Sequence, residues 1–232
     1  MKHIFYHLAA VMVVVVWGMT FISTKVLIVH GLSPQEIFLF RFLLAYAAVC
    51  PISFHRFFAR NLKDELYLVG GGVLGGSLFF FLQNIALGLT QASNVSFIIC
   101  MAPLLTAVLT VLSVRTEKVS RGFIYGSIVA LLGVGLLIFN GSFILRISPL
   151  GDLLTLLASL SWAFYSLVIR SLTRKYSPAF ITRKIFFYGI ITILPTFFFL
   201  PSLINPAVLL DSEVWSNLLF LGVIASSACY LL

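Results

Sequence analysis

Two cations stand in stretches that otherwise offer them no water. Lys25 lies toward the end of the apolar run 8–29, and Arg41 lies inside the apolar run 34–54. On insertion scales a charge at the centre of a membrane helix costs about 2.5–3.5 kcal/mol, and such a residue usually faces a cavity or a partner. Arg41 sits about seven residues, or roughly 10 Å by helix rise, inside its segment. One chemistry open to the pair is to line the outer half of a passage and attract carboxylate or phosphate groups, with Glu36 competing for Arg41. The other is structural: Lys25 snorkels to the interface, while Arg41 satisfies backbone carbonyls or Glu36.

A second set of candidates is aromatic and polar. Trp17 and Trp162 fall at mid-depth of their segments, away from the interface where Trp usually concentrates. They could line a central cavity with Thr20, Tyr165 and Ser166, or pack helices beside Gly18 and Ala163. Gln83 and Asn84, with Ser93, Asn94 and Ser96, form a polar cluster. Asn84 and Asn94 could meet a solute, or cap a helix and tie neighbours. Pro103 removes a backbone donor and should kink its helix. Gly70, Gly71, Gly72, Gly75 and Gly76 provide overlapping GxxxG spacings, and Gly122 with Gly126 another, for close helix packing. Asp152 suits a helix N-terminus.

Enzymatic chemistry finds no footing. There is no HExxH, GxSxG or GxGD, no paired carboxylate at mid-span, and no metal-ligand spacing among His3, His7, His30 and His55. No metal, cofactor or ATP-binding motif is expected. Cys50, Cys100 and Cys229 sit in apolar runs and read as packing residues rather than a disulfide framework.

The elements that must position these residues follow from composition. The chain has 232 residues, 61% hydrophobic and 9% charged, with a mean hydropathy of +1.12. A soluble domain carries roughly 25% charged residues. Nine per cent cannot clothe a water-facing surface, which excludes a soluble enzyme, a nucleic-acid-binding domain and a disordered chain. A bilayer crossing needs about 20 apolar residues as helix. The runs 8–29, 34–54, 66–88, 91–113, 121–139, 149–170, 179–200 and 214–232 qualify, giving about eight spans. The uncharged stretch from Leu66 to Val114 must fold back, and it does so at Gly88–Asn94. Period-two alternation, the sign of a barrel, is missing. The first run reads as a retained helix rather than a cleaved leader.

Charge placement predicts orientation. Of the 15 basic residues, 12 fall on one side: Lys2; Arg56, Arg60 and Lys63; Arg115, Lys118 and Arg121; and Arg170, Arg174, Lys175, Arg183 and Lys184. That places the N-terminus in the cytoplasm and makes the net charge of +8 a topology signal. The two halves also share a pattern. Trp17 precedes Ser33-Pro34 by 16 residues and Trp162 precedes Ser177-Pro178 by 15, while Pro34 to Pro51 and Pro178 to Pro195 both span 17. The segment at Trp17 therefore returns five helices later, in the opposite sense, and the basic and base-free loops exchange accordingly. Inverted repeats are a hallmark of secondary transporters, with the solute site near the midplane.

The residues that carry these patterns resemble the EamA-like family of the drug/metabolite transporter superfamily. They are the WG of the first span, PQEIFLFRFLLA, ALGLTQASNVSFIICMAPLLTAVL, GFIYGSIVALLGVGLLI and GDLLTLLASLSWAFYSLVIRSL. The resemblance implies an all-α integral membrane fold of ten helices in two inverted five-helix repeats (5+5). Residues 1–140 would form the first repeat, and residues 148–232 an incomplete second one. It implies a multi-pass carrier in a bacterial inner membrane, an exporter of small organic metabolites such as amino acids. Lipid and a small solute are the implied partners, a homodimer is compatible with the pattern, and nucleic acid is not. The chain stops within its eighth span, so a truncated form of a ten-helix protein is expected. The alternative is a non-transporting membrane protein or a subunit completed by another chain.

Overall fold

The computed structural model describes residues 2–53, 57–113, 120–139, 148–200 and 206–231. They are helical, with no strand among the described residues: α1 (Lys2–Val29), α2 (Pro34–Val49, extended by a 3-10 turn at Cys50–Ser53), α3 (Leu62–Leu89), α4 (Ala92–Ser113), α5 (Arg121–Phe139), α6 (Pro149–Arg170), α7 (Pro178–Phe199) and α8 (Ser212–Leu231). Among the described residues, α1–α4 and α6–α8 are long and apolar enough by composition to cross a membrane. α5, at the fifth span expected from the sequence, forms a helix of 19 residues.

Local chemistry sets the boundaries. Pro34 and Pro178 occupy the first turns of α2 and α7, where a missing N–H costs nothing, each behind a serine N-cap. Asn61 caps α3 by accepting the Asp64 N–H at 2.7 Å, and Asp211 caps α8 by accepting the Glu213 N–H at 2.8 Å. The turn between α1 and α2 needs a left-handed residue, supplied by Gly31 at φ 92°. The uncharged stretch folds back between Leu89 and Ala92, inside the expected cluster. α4 is interrupted at Cys100–Met101, just ahead of Pro103, so the expected kink is present.

Each helix buries one face. On α1, Thr20, Thr24 and Leu27 are buried, while Val14, Ile22 and Val29 point outward with the breadth of apolar exposure that lipid, not water, accommodates. On α2 the buried set includes Ile37, Phe38, Arg41, Phe42, Ala45 and Val49. On α7 it includes Ile181, Thr182, Ile185, Phe186, Gly189 and Ile193. A shift of 144 positions superimposes the second set on the first. α2 packs on α8, α7 packs on α3, and α2 and α7 pack on each other, so the two halves interlock. Between them lies a core of Phe38, Phe42, Phe79, Phe80 and Phe186. The glycines of α3 admit this closeness, as expected from their spacing. A Cβ on Gly75 would meet the Tyr165 ring at 2.4 Å. Gly122 and Gly126 have nothing within 4 Å, so the α5 spacing is not used for packing among the described residues.

α3 and α8 each contain a π-helical stretch, Val73–Leu78 and Phe220–Ala228. Such stretches shift hydrogen bonds from i−4 to i−5 and concentrate at functional sites.

Candidate functional site

The π stretch of α8 builds the centre. The Cys229 N–H bonds to the Ile224 carbonyl, bypassing that of Ala225, and the Ala225 carbonyl instead accepts the Trp17 indole N–H at 3.1 Å. In α3, the Leu74 carbonyl accepts the hydroxyl proton of Ser161, the neighbour of Trp162, at 2.7 Å. Both sequence-selected tryptophans are thus brought inward. Their rings meet edge to face with centroids 5.9 Å apart, and Tyr230 completes a triangle at 6.0 Å from Trp17 and 6.2 Å from Trp162. Tyr165 joins at 5.0 Å from Trp162. Thr20 is buried on α1, its hydroxyl donating to the Trp17 carbonyl at 2.6 Å.

Arg41 reaches the same region from α2. It is 3% exposed. Its Nε–H donates to Ser226 Oγ at 2.7 Å, and the guanidinium lies over the Phe80 ring at 4.3 Å. Glu36, the competitor expected for Arg41, accepts the Ser33 N–H at 2.8 Å at the start of α2. Among the described residues no carboxylate pairs with Arg41.

The remaining candidates lie toward one end of the bundle. Lys25 Nζ donates to the carbonyls of Leu87 and Thr90, the C-terminal end of α3, where a cation complements the helix dipole. Asn84 donates to the Pro34 carbonyl at 3.0 Å, and Asn94 to Thr90 Oγ1 at 3.4 Å. Asp152 accepts the Ser148 N–H at the start of α6, as its position suggested. At this same end His30 Nε2 stands 3.6 Å from Asp211 and 3.5 Å from Glu213, and Gln35 donates to the Leu200 carbonyl at 3.2 Å. These contacts join α1 and α2 to the α7–α8 region.

The opposite end carries a denser clasp. Asp64, 2% exposed, accepts from Lys175 at 2.8 Å and from the Tyr176 hydroxyl at 2.9 Å, while that hydroxyl accepts the Arg60 N–H at 2.8 Å. The hydrogen bond with Asp64 raises the Lys175 pKa above its ordinary value. Glu65 pairs with Lys184, and accepts from the Tyr188 hydroxyl and, at 2.6 Å, from the Ala59 N–H. Arg183 donates to the Ser53 carbonyl and stands 5.3 Å from the Phe57 ring centre.

Hydropathy starts the third span at residue 66, which leaves Asp64 and Glu65 outside it, and Arg183 and Lys184 count there as topology charges. α3 in fact begins four residues earlier than hydropathy placed it, so the two acids lie in its first turn, facing α7. Tyr230 and Ser226 were missed as well. Their signal was the GxxxG-like pattern of α3 recurring in α8, with Gly72 matching Gly222 and Phe80 matching Tyr230. The packing role expected of the cysteines holds for buried Cys229, whereas Cys100 is exposed. No group of three or more His, Cys, Asp or Glu able to hold a metal occurs among the described residues.

Interlocked apolar helices around a buried polar centre, clasped at both ends, define a polytopic membrane protein of transporter architecture. The EamA-like transporter family model matches residues 4–139 and 149–232, and the chain belongs to that family. An uncharacterized transporter of Archaeoglobus fulgidus is 27% identical over 228 residues, which span 97% of this chain and 77% of that protein. A second from the same organism is 28% identical over 93% of this chain and 74% of its own length. The uncharacterized transporter YcxC of Bacillus subtilis is 27% identical over 73% of this chain and 55% of its own. A solved crystal structure matches the fold with a TM-score of 0.72 at 15% identity, covering 97% of this chain and 76% of that one.

Proposed function

We propose that this chain supplies most of a secondary carrier for small organic solutes, working by alternating access between two inverted repeats, residues 1–140 and 148–232. The observation that carries the reading is the pair of clasps. The α6–α7 turn grips the start of α3 at one end, through Lys175 and Tyr176 on Asp64. The α1–α2 turn grips the start of α8 at the other, through His30 on Asp211 and Glu213. The same two kinds of element are used at both ends. A carrier needs such a pair, because opening one gate while holding the other exposes a central site to one side at a time.

The solute path runs between Trp17, Thr20, Arg41, Trp162 and Tyr165, with Lys25, Asn84 and Asn94 at the entrance on the His30 side. Basic residues gather at the Asp64 end, which by the positive-inside rule faces the cytoplasm, as does the N-terminus. The direction is outward, across a bacterial inner membrane.

The test is counterflow in proteoliposomes preloaded with a panel of unlabelled solutes. Accumulation of a labelled solute against its gradient is the expected result. Leakage that runs only downhill for every solute would overturn the carrier reading. It would favour the second reading, a chain that moves solute only with a partner, which mixing with additional helices of the family would then restore.

A further inference from the structure

Arg41 is a buried cation that the described protein leaves half-served. Of the five N–H donors of a guanidinium, its Nε–H bonds to Ser226, and the planar face rests on Phe80. No carboxylate among the described residues neutralises it. The Tyr230 hydroxyl, one helical turn beyond Ser226, to which Arg41 is bonded, is buried and has no hydrogen-bond partner among the described residues. A buried charge and an orphaned buried hydroxyl are both costly, and in membrane helices an ionisable residue of this kind marks a ligand path rather than a packing contact.

We infer that Arg41 and Tyr230 together hold the head group of the carried solute, and that the solute is a small organic monocarboxylate with a planar apolar body. The inference rests on the carrier reading and narrows it. The guanidinium fork matches the two oxygens of one carboxylate, and Tyr230 adds a third donor to the same anion. A single positive charge balances one negative charge, not the two of a phosphate monoester. The body then meets Trp17, Trp162 and Phe79, rings whose faces and edges suit a flat apolar group. A zwitterionic amino acid would also need an acceptor for its ammonium. Among the described residues no carboxylate stands beside Arg41 to provide one, so the class expected from the family resemblance gives way to plain organic anions.

The experiment uses the full chain in nanodiscs and reads thermal stabilisation by phenylacetate, phenylacetamide, phenylalanine and inorganic phosphate, each to about 10 mM, since a ligand that binds only the folded state raises the melting temperature. Phenylacetate should stabilise saturably, the other three needing at least about tenfold higher concentration. Arg41→Gln should weaken phenylacetate at least about tenfold, with Arg41→Lys recovering part, and Tyr230→Phe should weaken it several-fold. Should Arg41→Gln fail to fold, Tyr230→Phe and the ligand series carry the decision. No shift with phenylacetate, equal shifts with its amide or with phenylalanine, or unchanged affinity in the folded variants overturns the inference. The two readings fail separately. Saturable phenylacetate binding without counterflow sinks the carrier reading and leaves the anion site. Counterflow of neutral or zwitterionic solutes that survives Arg41→Gln sinks the anion site and leaves the carrier.

Discussion

Gly72 and Gly222 occupy matching places in two crossed helix pairs. A Cβ on Gly72 would lie 2.5 Å from Cβ of Tyr188 on α7, and one on Gly222 would lie 2.6 Å from Cβ of Leu44 on α2. The glycines stand 150 positions apart and their partners 144. Both contacts are made by backbone-proximal atoms that cannot swing away, so overpacking must move a helix. Gly72→Ala and Gly222→Ala should each destabilise by about 1–3 kcal/mol. Gly18, with nothing within 4 Å, is the control, and Gly18→Ala should stabilise by about 0.5–1 kcal/mol through helix propensity. Thermal unfolding in detergent, followed by tryptophan fluorescence, reads all three. Equal melting temperatures for Gly72→Ala and Gly18→Ala would refute the close crossing.

The Glu65–Lys184 pair makes a different demand. Lys184 is 4% exposed and Glu65 15%, so each charge relies on the other rather than on water. Removing one partner of a buried pair costs about 3–5 kcal/mol, while replacing both by neutral groups is often nearly neutral. Glu65→Gln and Lys184→Met should therefore each lower stability more than the double variant does. A double variant as unstable as the sum of the singles would show the two sites to be independent.

Lys175 adds a pH signature. Its pKa is raised by Asp64, so its contribution to stability is complete below the ordinary lysine value of about 10.4 and is lost as pH climbs through the higher folded-state value. The melting temperature of the wild type should fall more steeply above about pH 10 than that of Lys175→Met, and the two curves should run parallel between about pH 7 and 9. Parallel curves throughout would mean that the Asp64–Lys175 contact contributes nothing in solution.

Much of this architecture was legible because a bilayer leaves few choices. Nearly every helix, the fold-back at residues 89–92 and the Pro103 break followed from hydropathy and from the chemistry of proline. The 144-position echo between α2 and α7 was visible in their Ser-Pro starts, and the buried faces keep it residue by residue. What hydropathy misjudged was the start of α3. Acids there look like loop residues until Lys175, Lys184, Tyr176 and Tyr188 arrive from the other half to neutralise them. Long-range pairing of that kind leaves no mark in a local window. Arg41 was found from its type alone, whereas its neighbour Tyr230 was hidden because a tyrosine near the end of an apolar run is unremarkable without the helix that crosses it.

The clasps at the two ends should act in opposite directions if they are gates. Thr20 is buried one turn from Trp17, between them, and is a suitable reporter once the native Cys50, Cys100 and Cys229 are replaced by serine. Weakening one end removes contacts present only when that end is closed, and shifts the population toward the state open there; about 1.4 kcal/mol of differential effect changes the ratio tenfold. In the Thr20→Cys chain, Asp211→Asn with Glu213→Gln should accelerate labelling by a membrane-impermeant maleimide from the outside. Asp64→Asn with Glu65→Gln, which leaves Lys175 and Lys184 without their carboxylates, should accelerate it from the cytoplasmic side, in inside-out vesicles. Acceleration from the same side by both pairs would mean that the two clasps hold a single closed bundle together, and that neither one gates a path.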